Sequence, residues 1–230
     1  MKVSAAIALV GAVLPFSACA SKPPRPEVRF RLSLDVVSDP PKAEVRFRGQ
    51  ALGETPTSVA VTTYEELEAV SATSGDLAVV EKRLRLLSPD KAQLIFRFGR
   101  QEQQSPIAKT LGAQHVLIFD YSEKVAFDVD RFDLKPDALP ILNTQADILS
   151  IYFPHALVYV CGYTDSTGSE EHNLRLSLKR AQAVADYLVS RGIDKDRLRT
   201  RGFGRDYPVE TNATAAGRSL NRRTEVILPQ

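Results

Sequence analysis

From Val28 onward the chain alternates. Phe30, Leu32, Leu34 and Val36 are apolar and their neighbours polar, the period of a strand with one buried face. Ser38-Asp39-Pro40-Pro41 breaks the pattern. Ala43, Val45 and Phe47 then face one way and Glu44, Arg46 and Arg48 the other, which predicts a second strand. Gly49 to Gly53 reads as a turn, and Thr55-Pro56 leads into a third strand around Ser58 to Thr62. Residues 63 to 120 are less regular. A helical or loop segment carries Glu65, Glu66 and Glu68, and strands are expected over Ala92–Phe98 and His115–Tyr121 with a short helix at Ile107–Leu111 between them. No histidine accompanies the acidic cluster, so it reads as a solvated helix face rather than a metal site.

Beyond Tyr121 helices alternate with strands. Val125, Phe127 and Val129 predict a strand, and Leu134-Lys135-Pro136 opens a helix that Pro140 makes short, irregular or late-starting. Ala156 to Cys161 is an apolar run of strand length. A long helix spans Glu170 to Arg191 and stops at Gly192, with Leu174, Ser177, Ala181, Val184, Ala185 and Leu188 toward the sheet. Strand Leu198–Gly202, a short helix near Ala215 and strand Thr224–Leu228 follow. The expected class is α+β, with helices on one face of a mixed sheet, preceded by a small mainly-β domain.

At 230 residues the chain can hold two modest domains. With 25% charged residues and a formal net charge of +2 it shows no bias toward nucleic acid, although eight arginines lie between Arg191 and Arg223. Lys2 and the apolar run Val3–Leu14 form a targeting segment too short to span a bilayer, which needs about 20 apolar residues. Phe16-Ser17-Ala18-Cys19 resembles a lipoprotein lipobox, whose cysteine is acylated and becomes the new N-terminus. Ordinary cleavage after Ala20 also fits the small-x-small pattern Ala18-Cys19-Ala20. The expectation is lipidation at Cys19, after a signal peptide over residues 1–18 and before a Pro-rich tether over 19–27. Cys161 then has no disulfide partner and reads as a small buried hydrophobe in an apolar strand. The remaining chain divides into a mainly-β domain, 28–120, and a C-terminal domain, 121–230.

The chemistry gathers between Gly162 and Arg223. Asp165 is isolated in a Gly/Ser/Thr-rich turn, and Asn173 and Arg180, seven positions apart, share one edge of the long helix. A carboxylate and a guanidinium held apart by a rigid helix suit a zwitterionic ligand, each charge meeting one partner. Arg222 and Arg223 fall on opposite faces by alternation. The ordered motifs Thr164-Asp165-Ser166-Thr167-Gly168, Asn173 through Ala181, Gly202-Phe203-Gly204 and Asn221-Arg222-Arg223 resemble the C-terminal domain family of outer-membrane protein A. That family includes peptidoglycan-associated lipoproteins and motor-anchoring proteins, and the resemblance covers nearly half the chain. It implies a β-α-β-α-β-type domain that binds peptidoglycan without covalent attachment. Asp165 would accept from the ammonium of meso-diaminopimelate in the stem peptide, and Arg180 would grip its carboxylate. Thr164, Asn173, Leu176 and Arg222 would line the pocket. Phe127-Asp128-Val129-Asp130 departs from the family's aromatic-rich first strand. The region Arg31–Val61 resembles the short β-rich PEGA module, which implies an extracytoplasmic unit without catalytic residues.

No nucleophile elbow, His-Glu-x-x-His or Cys-x-x-Cys is present, and His115, His155 and His172 are scattered, so no enzyme, cofactor or metal is expected. The expected protein is an outer-membrane lipoprotein on the periplasmic side that ties the membrane to peptidoglycan and does not bind nucleic acid. The partner of the N-terminal domain stays open. The competing reading is an envelope scaffold whose arginine-rich surface meets anionic polymers or a protein partner.

Overall fold

The computed structural model describes residues 26–88, 90–100, 106–113, 116–122, 126–128 and 130–229. The signal segment, Cys19 and the tether as far as Arg25 lie outside them. In chain order the elements are β1 (Arg29–Asp39), β2 (Glu44–Phe47), β3 (Gln50–Glu54), β4 (Thr57–Thr63), α1 (Tyr64–Glu68) and β5 (Val70–Thr73). Then come β6 (Ala78–Ser88), β7 (Lys91–Gly99), α2 (Pro106–Leu111) and β8 (Val116–Ser122). The C-terminal part adds α3 (Leu139–Ile151), β9 (Val158–Gly162), α4 (Glu170–Ser190), β10 (Leu198–Gly202), α5 (Ala215–Asn221) and β11 (Arg223–Pro229). No helix among the described residues is long and apolar enough to cross a membrane.

Eight strands form one sheet in the order β10-β9-β11-β8-β6-β7-β1-β4, and β3-β2-β5 form a smaller one. The N-terminal region is mainly β, and the whole is a mixed sheet with helices. β8 runs through position 120, pairing parallel with β6 and antiparallel with β11, so one ladder joins the N-terminal strands to the C-terminal ones. α3 reaches across in the same sense. Tyr121 donates to Gln145 Oε1 at 2.7 Å, and the Tyr64 and Tyr152 rings lie 4.4 Å apart. α3 and α4 pack with Val160, Val226 and Leu228, while α2 places Ile107 and Ala108 against Cys161 and Ile227 on the other side. β11 is buried on both faces for this reason.

Three local expectations are corrected. Gly49–Gly53 is not all turn: Arg48 and Gly49, at φ 51° and 80°, make a two-residue hairpin turn and β3 follows at once. The strand expected over 125–129 is absent at Phe127 and Asp128, which have no strand pairing, while Val125 and Val129 lie outside the described residues. β8 occupies the sheet position instead. Leu174 is 50% exposed rather than packed on the sheet. Gly162 and Gly202 lie against Ser177 and Leu178 at the ends of their strands, so the first turn of α4 overhangs the sheet and polar Asn173 packs there. β5 and β6 were not anticipated.

β6 has two buried faces of opposite kind. Leu84 and Leu86 enter the main core, and Glu81, Arg83 and Arg85 lie buried on the other side. Asp120 of β8 faces Glu225 of β11 directly across the ladder. Arg83 donates to both, at 3.2 Å to Asp120 Oδ2, and through Nε to Glu81 Oε1 at 3.0 Å. Arg85 reaches Asp120 at 3.0 Å and Arg223 reaches Glu225 at 2.7 Å. Burial pushes the Glu225 carboxyl up, but Arg223 and Arg83 outweigh it and hold the group well below the usual carboxylate range. Arg83→Ala leaves three buried carboxylates, Glu81, Asp120 and Glu225, short of their shared donor. It should cost about 3–5 kcal/mol in chemical denaturation. Arg29→Ala, in an exposed pair, should change stability by about 0.5 kcal/mol or less.

Candidate ligand-binding site

α4 touches the sheet because Gly162 and Gly202 have no side chain. A Cβ on Gly162 would lie 1.9 Å from the Ser177 carbonyl oxygen, and one on Gly202 would lie 2.6 Å from the Leu178 nitrogen. Ser177, fully buried, accepts from Gly204 N–H at 3.0 Å, and the Gly204 carbonyl accepts from Thr164 N–H at 2.7 Å. Phe203 stacks on Tyr163 with centroids 5.4 Å apart. The Gly202-Phe203-Gly204 motif is thus the spacer that fixes the end of β9 and the Asp165 loop beside the helix.

Asp165 does not cap the helix; Ser169 does, accepting from His172 N–H at 3.2 Å. The Asp165 side chain closes its own turn instead. Oδ1 accepts from Thr167 N–H at 2.8 Å and from the Thr167 hydroxyl. Oδ2 accepts from Arg222 Nη1 at 2.7 Å. Burial raises the Asp165 pKa, but the Thr167 hydroxyl and Arg222 outweigh it and the carboxyl titrates below its ordinary value. Arg223 turns the other way, to Glu225, as alternation requires. Asn221 holds the preceding loop, accepting from Val209 and Glu210 N–H and donating to the Glu210 carbonyl at 2.7 Å.

Asn173 and Arg180 are both buried on α4 and act on main chain. Asn173 Nδ2 donates to the Thr167 carbonyl at 2.8 Å, clamping the Asp165 loop. Arg180 donates through Nε to the Arg131 carbonyl at 2.8 Å and through Nη2 to the Asp128 carbonyl at 3.2 Å, with its guanidinium 5.2 Å from the Phe127 ring centroid. It is among the largest fully buried side chains described. This explains why 126–128 and 130–133 need no strand pairing: a helix side chain ties them down.

The structure brings all six expected residues, Thr164, Asp165, Asn173, Leu176, Arg180 and Arg222, to the wall of one cavity of about 220 Å³. Asp130, Thr167, Gly168 and His172 complete it, and His172 Nε2 lies 2.9 Å from Asp130 Oδ1 across the opening. Asp130 was not singled out. Its signal was its position in the departure from the family's first strand, and its φ of 56° marks a turn. The cavity therefore offers carboxylate and guanidinium groups with fixed planes and a polar rim. Among the described residues no group of three or more His, Cys, Asp or Glu could hold a metal ion.

The OmpA family matches residues 126–222 of the chain. Over 112 residues the chain is 42% identical to "Probable lipoprotein YiaD" of Escherichia coli (strain K12), covering 49% of this chain and 51% of that protein. It is 47% identical over 104 residues to "Peptidoglycan-binding protein ArfA" of Mycobacterium tuberculosis (strain ATCC 25618 / H37Rv), covering 45% of this chain and 32% of that protein. To "Peptidoglycan-associated lipoprotein" of Rhizobium meliloti (strain 1021) it is 36% identical over 121 residues, 53% of this chain and 68% of that protein. The match thus spans about half of the first of these relatives and a third of the second.

The lowered Asp165 pKa sets a pH dependence. A depressed folded pKa contributes stability that is present above the unfolded value, 3.8, and is lost as pH falls through the lower folded value. The stability difference between wild type and Asp165→Asn should therefore be constant at neutral pH and shrink below that value. Urea unfolding across an acid pH series measures it.

Proposed function

This chain belongs to the OmpA family, and on that footing we propose that its C-terminal half binds peptidoglycan non-covalently and that the protein anchors the cell envelope to the wall. The carrying observation is the cavity in which Asp165, Arg222 and Arg180 meet. The relatives named for peptidoglycan binding and association support the ligand class. The ligand group is the zwitterionic end of meso-diaminopimelate in a stem peptide. Its ammonium donates to the Asp165 carboxylate, which has about four lone-pair sites and spends three on Thr167 and Arg222. Its carboxylate meets the Arg180 guanidinium, while Thr164, Asn173, Leu176 and Arg222 shape the wall around it. The site is a binder and not a catalyst.

The arginine-surface reading fares worse. Seven of the eight arginines from Arg191 to Arg223 have side-chain partners inside the chain. Arg197, Arg199, Arg218 and Arg223 bond backbone carbonyls, Arg205 meets Glu170, Arg222 meets Asp165, and Arg201 lies over Tyr159. Arg205, Arg222 and Arg223 are paired with carboxylates, and the others named are each held by a local carbonyl or ring, which supports separate contacts over one shared surface.

The test is retention of the full chain on insoluble peptidoglycan. Asp165→Asn should weaken it about tenfold to a hundredfold, the cost of a lost charge-assisted hydrogen bond. Arg180→Lys keeps the charge but loses the planar fork and should weaken it as well. Wild-type retention should change little between low and moderate salt, because the pair is buried. Retention that survives both substitutions and vanishes with salt would overturn the pocket in favour of a charged surface.

Attachment at the other end is by lipid on Cys19, in the outer membrane, with several acyl chains because one alone gives marginal anchoring. The motivating feature is the lipobox-like Phe16-Ser17-Ala18-Cys19 followed by Ala20 and a Pro-rich tether. Cys19→Ala should move the protein to the soluble periplasmic fraction; continued membrane association of that variant would contradict lipidation.

A further inference from the structure

β10 is the last strand of the large sheet, so one side of it is unpaired. Phe203 N–H bonds the Gly162 carbonyl across to β9, and by the two-residue period of a strand Arg199 and Arg201 point their main-chain groups the same way. Leu198, Thr200 and Gly202 therefore point theirs out of the sheet. The Leu198 groups are met locally, its N–H by the Lys195 carbonyl and its carbonyl by Arg199 Nη1 at 2.9 Å. Thr200 and Gly202 present donors and acceptors along the edge.

α4 runs alongside this edge. Three of the six large apolar side chains that are exposed among the described residues, Leu174, Leu178 and Val189, lie on this one helix. By helical period they fall within about 60° of one another and form a stripe. The stripe borders the free side of β10. A Cβ on Gly202 would lie 2.8 Å from the Leu178 Cβ, and further along Val189 and Ala185 share a groove of about 250 Å³ with Leu198 and Thr200. An edge that can bond main chain, with an apolar trough on one side of it, matches an extended polypeptide. Such a segment would add to β10 as a strand and put alternate side chains into the trough.

On the opposite face of β10 the side chains are Arg199 and Arg201, both exposed. Arg199 is stationed by the Asp196 and Leu198 carbonyls, and Arg201 by the Tyr159 ring, 5.8 Å from its centroid. An added strand lays its remaining side chains beside these two, where a carboxylate is favoured and a cation is not. The same charges disfavour a second copy of the chain, because two antiparallel β10 strands centred on Thr200 or on Arg201 set arginine opposite arginine. Charged side chains alone commonly guard an edge, but an exposed apolar stripe beside it does not. We infer that the β10 edge and the α4 stripe form a docking site for an extended segment of a partner protein in which apolar residues alternate with acidic ones. Leu178 and Arg180 lie roughly 160° apart around α4, so this site and the wall-binding cavity flank the helix on different sides.

The experiment titrates a capped hexapeptide of alternating valine and glutamate, and separately its valine–lysine counterpart, into the full-length protein and follows backbone amide NMR signals. Saturable shifts at Thr200 and Gly202 with the glutamate peptide are expected, and about tenfold weaker binding of the lysine peptide. Leu178→Glu, at a position already exposed, should weaken binding of the glutamate peptide about tenfold. Arg199→Glu combined with Arg201→Glu should reverse the preference between the two peptides, which mere damage to the strand would not do. Asp165→Asn should leave the titration unchanged, so this site and the wall-binding cavity fail or stand separately. No saturable shift at Thr200 and Gly202 with the glutamate peptide would overturn the inference, as would equal affinity for the two peptides. So would shifts of these amides with protein concentration alone, which would make a second copy of the chain the occupant.

Discussion

Asp120 and Glu225 face each other directly across neighbouring strands, an arrangement that repels unless a cation lies between them. Arg83, from a third strand, supplies it. Much of the architecture depends on this one contact. It ties β6 of the N-terminal part to β11 of the C-terminal part through β8. A slip of β8 by one residue would turn Asp120 into the apolar core and bring its apolar neighbours onto the charged face. A buried ion cluster is poor evidence for net stability, because desolvation offsets much of the attraction. Its effect is better placed at the level of register, since one pairing satisfies all these charges together.

The ladder so fixed carries the ligand site at its end. Asp165 follows β9 and Arg222 immediately precedes β11, and these two strands are hydrogen-bonded neighbours. Their side chains therefore meet at 2.7 Å because the strands are paired, without help from a flexible loop. Asn173 and Arg180 then hold the two loops that frame the cavity, each by bonds to main-chain carbonyls. The direct contact of Asp165 is with Arg222 across the strands, and Asn173 and Arg180 on the helix hold the main chain around it. A cavity arranged this way has met most of its ordering cost during folding, which leaves more of the contact energy for binding.

The elements around this site were legible because their signals are local. Gly192 ends a long amphipathic helix, β9 is an apolar run, and Pro136 with Pro140 defers α3 to Leu139. All six expected residues lie together for the same reason: the motifs are short and fixed to element ends. What the sequence concealed is non-local. Glu81, Arg83 and Arg85 alternate with apolar residues, which reads as an ordinary solvated face, and only pairing with β8 and α2 packing bury it. Asp120 and Glu225 each interrupt an apolar strand, and that was the available clue. Leu174 misled because the helical period says nothing of where the sheet ends.

The partnering of Asp165 also bears on how strongly one site can hold. Its carboxylate is already engaged by Arg222 and Thr167, so an incoming ammonium adds to a satisfied group and relieves no buried unpaired charge. The gain from such a contact is the difference between a desolvated ammonium and a shared carboxylate, which is modest. On the wall-anchoring reading, firm attachment then follows from number. Many copies held at one membrane face a polymer that repeats the same stem peptide, so each release is followed by rebinding at high effective concentration.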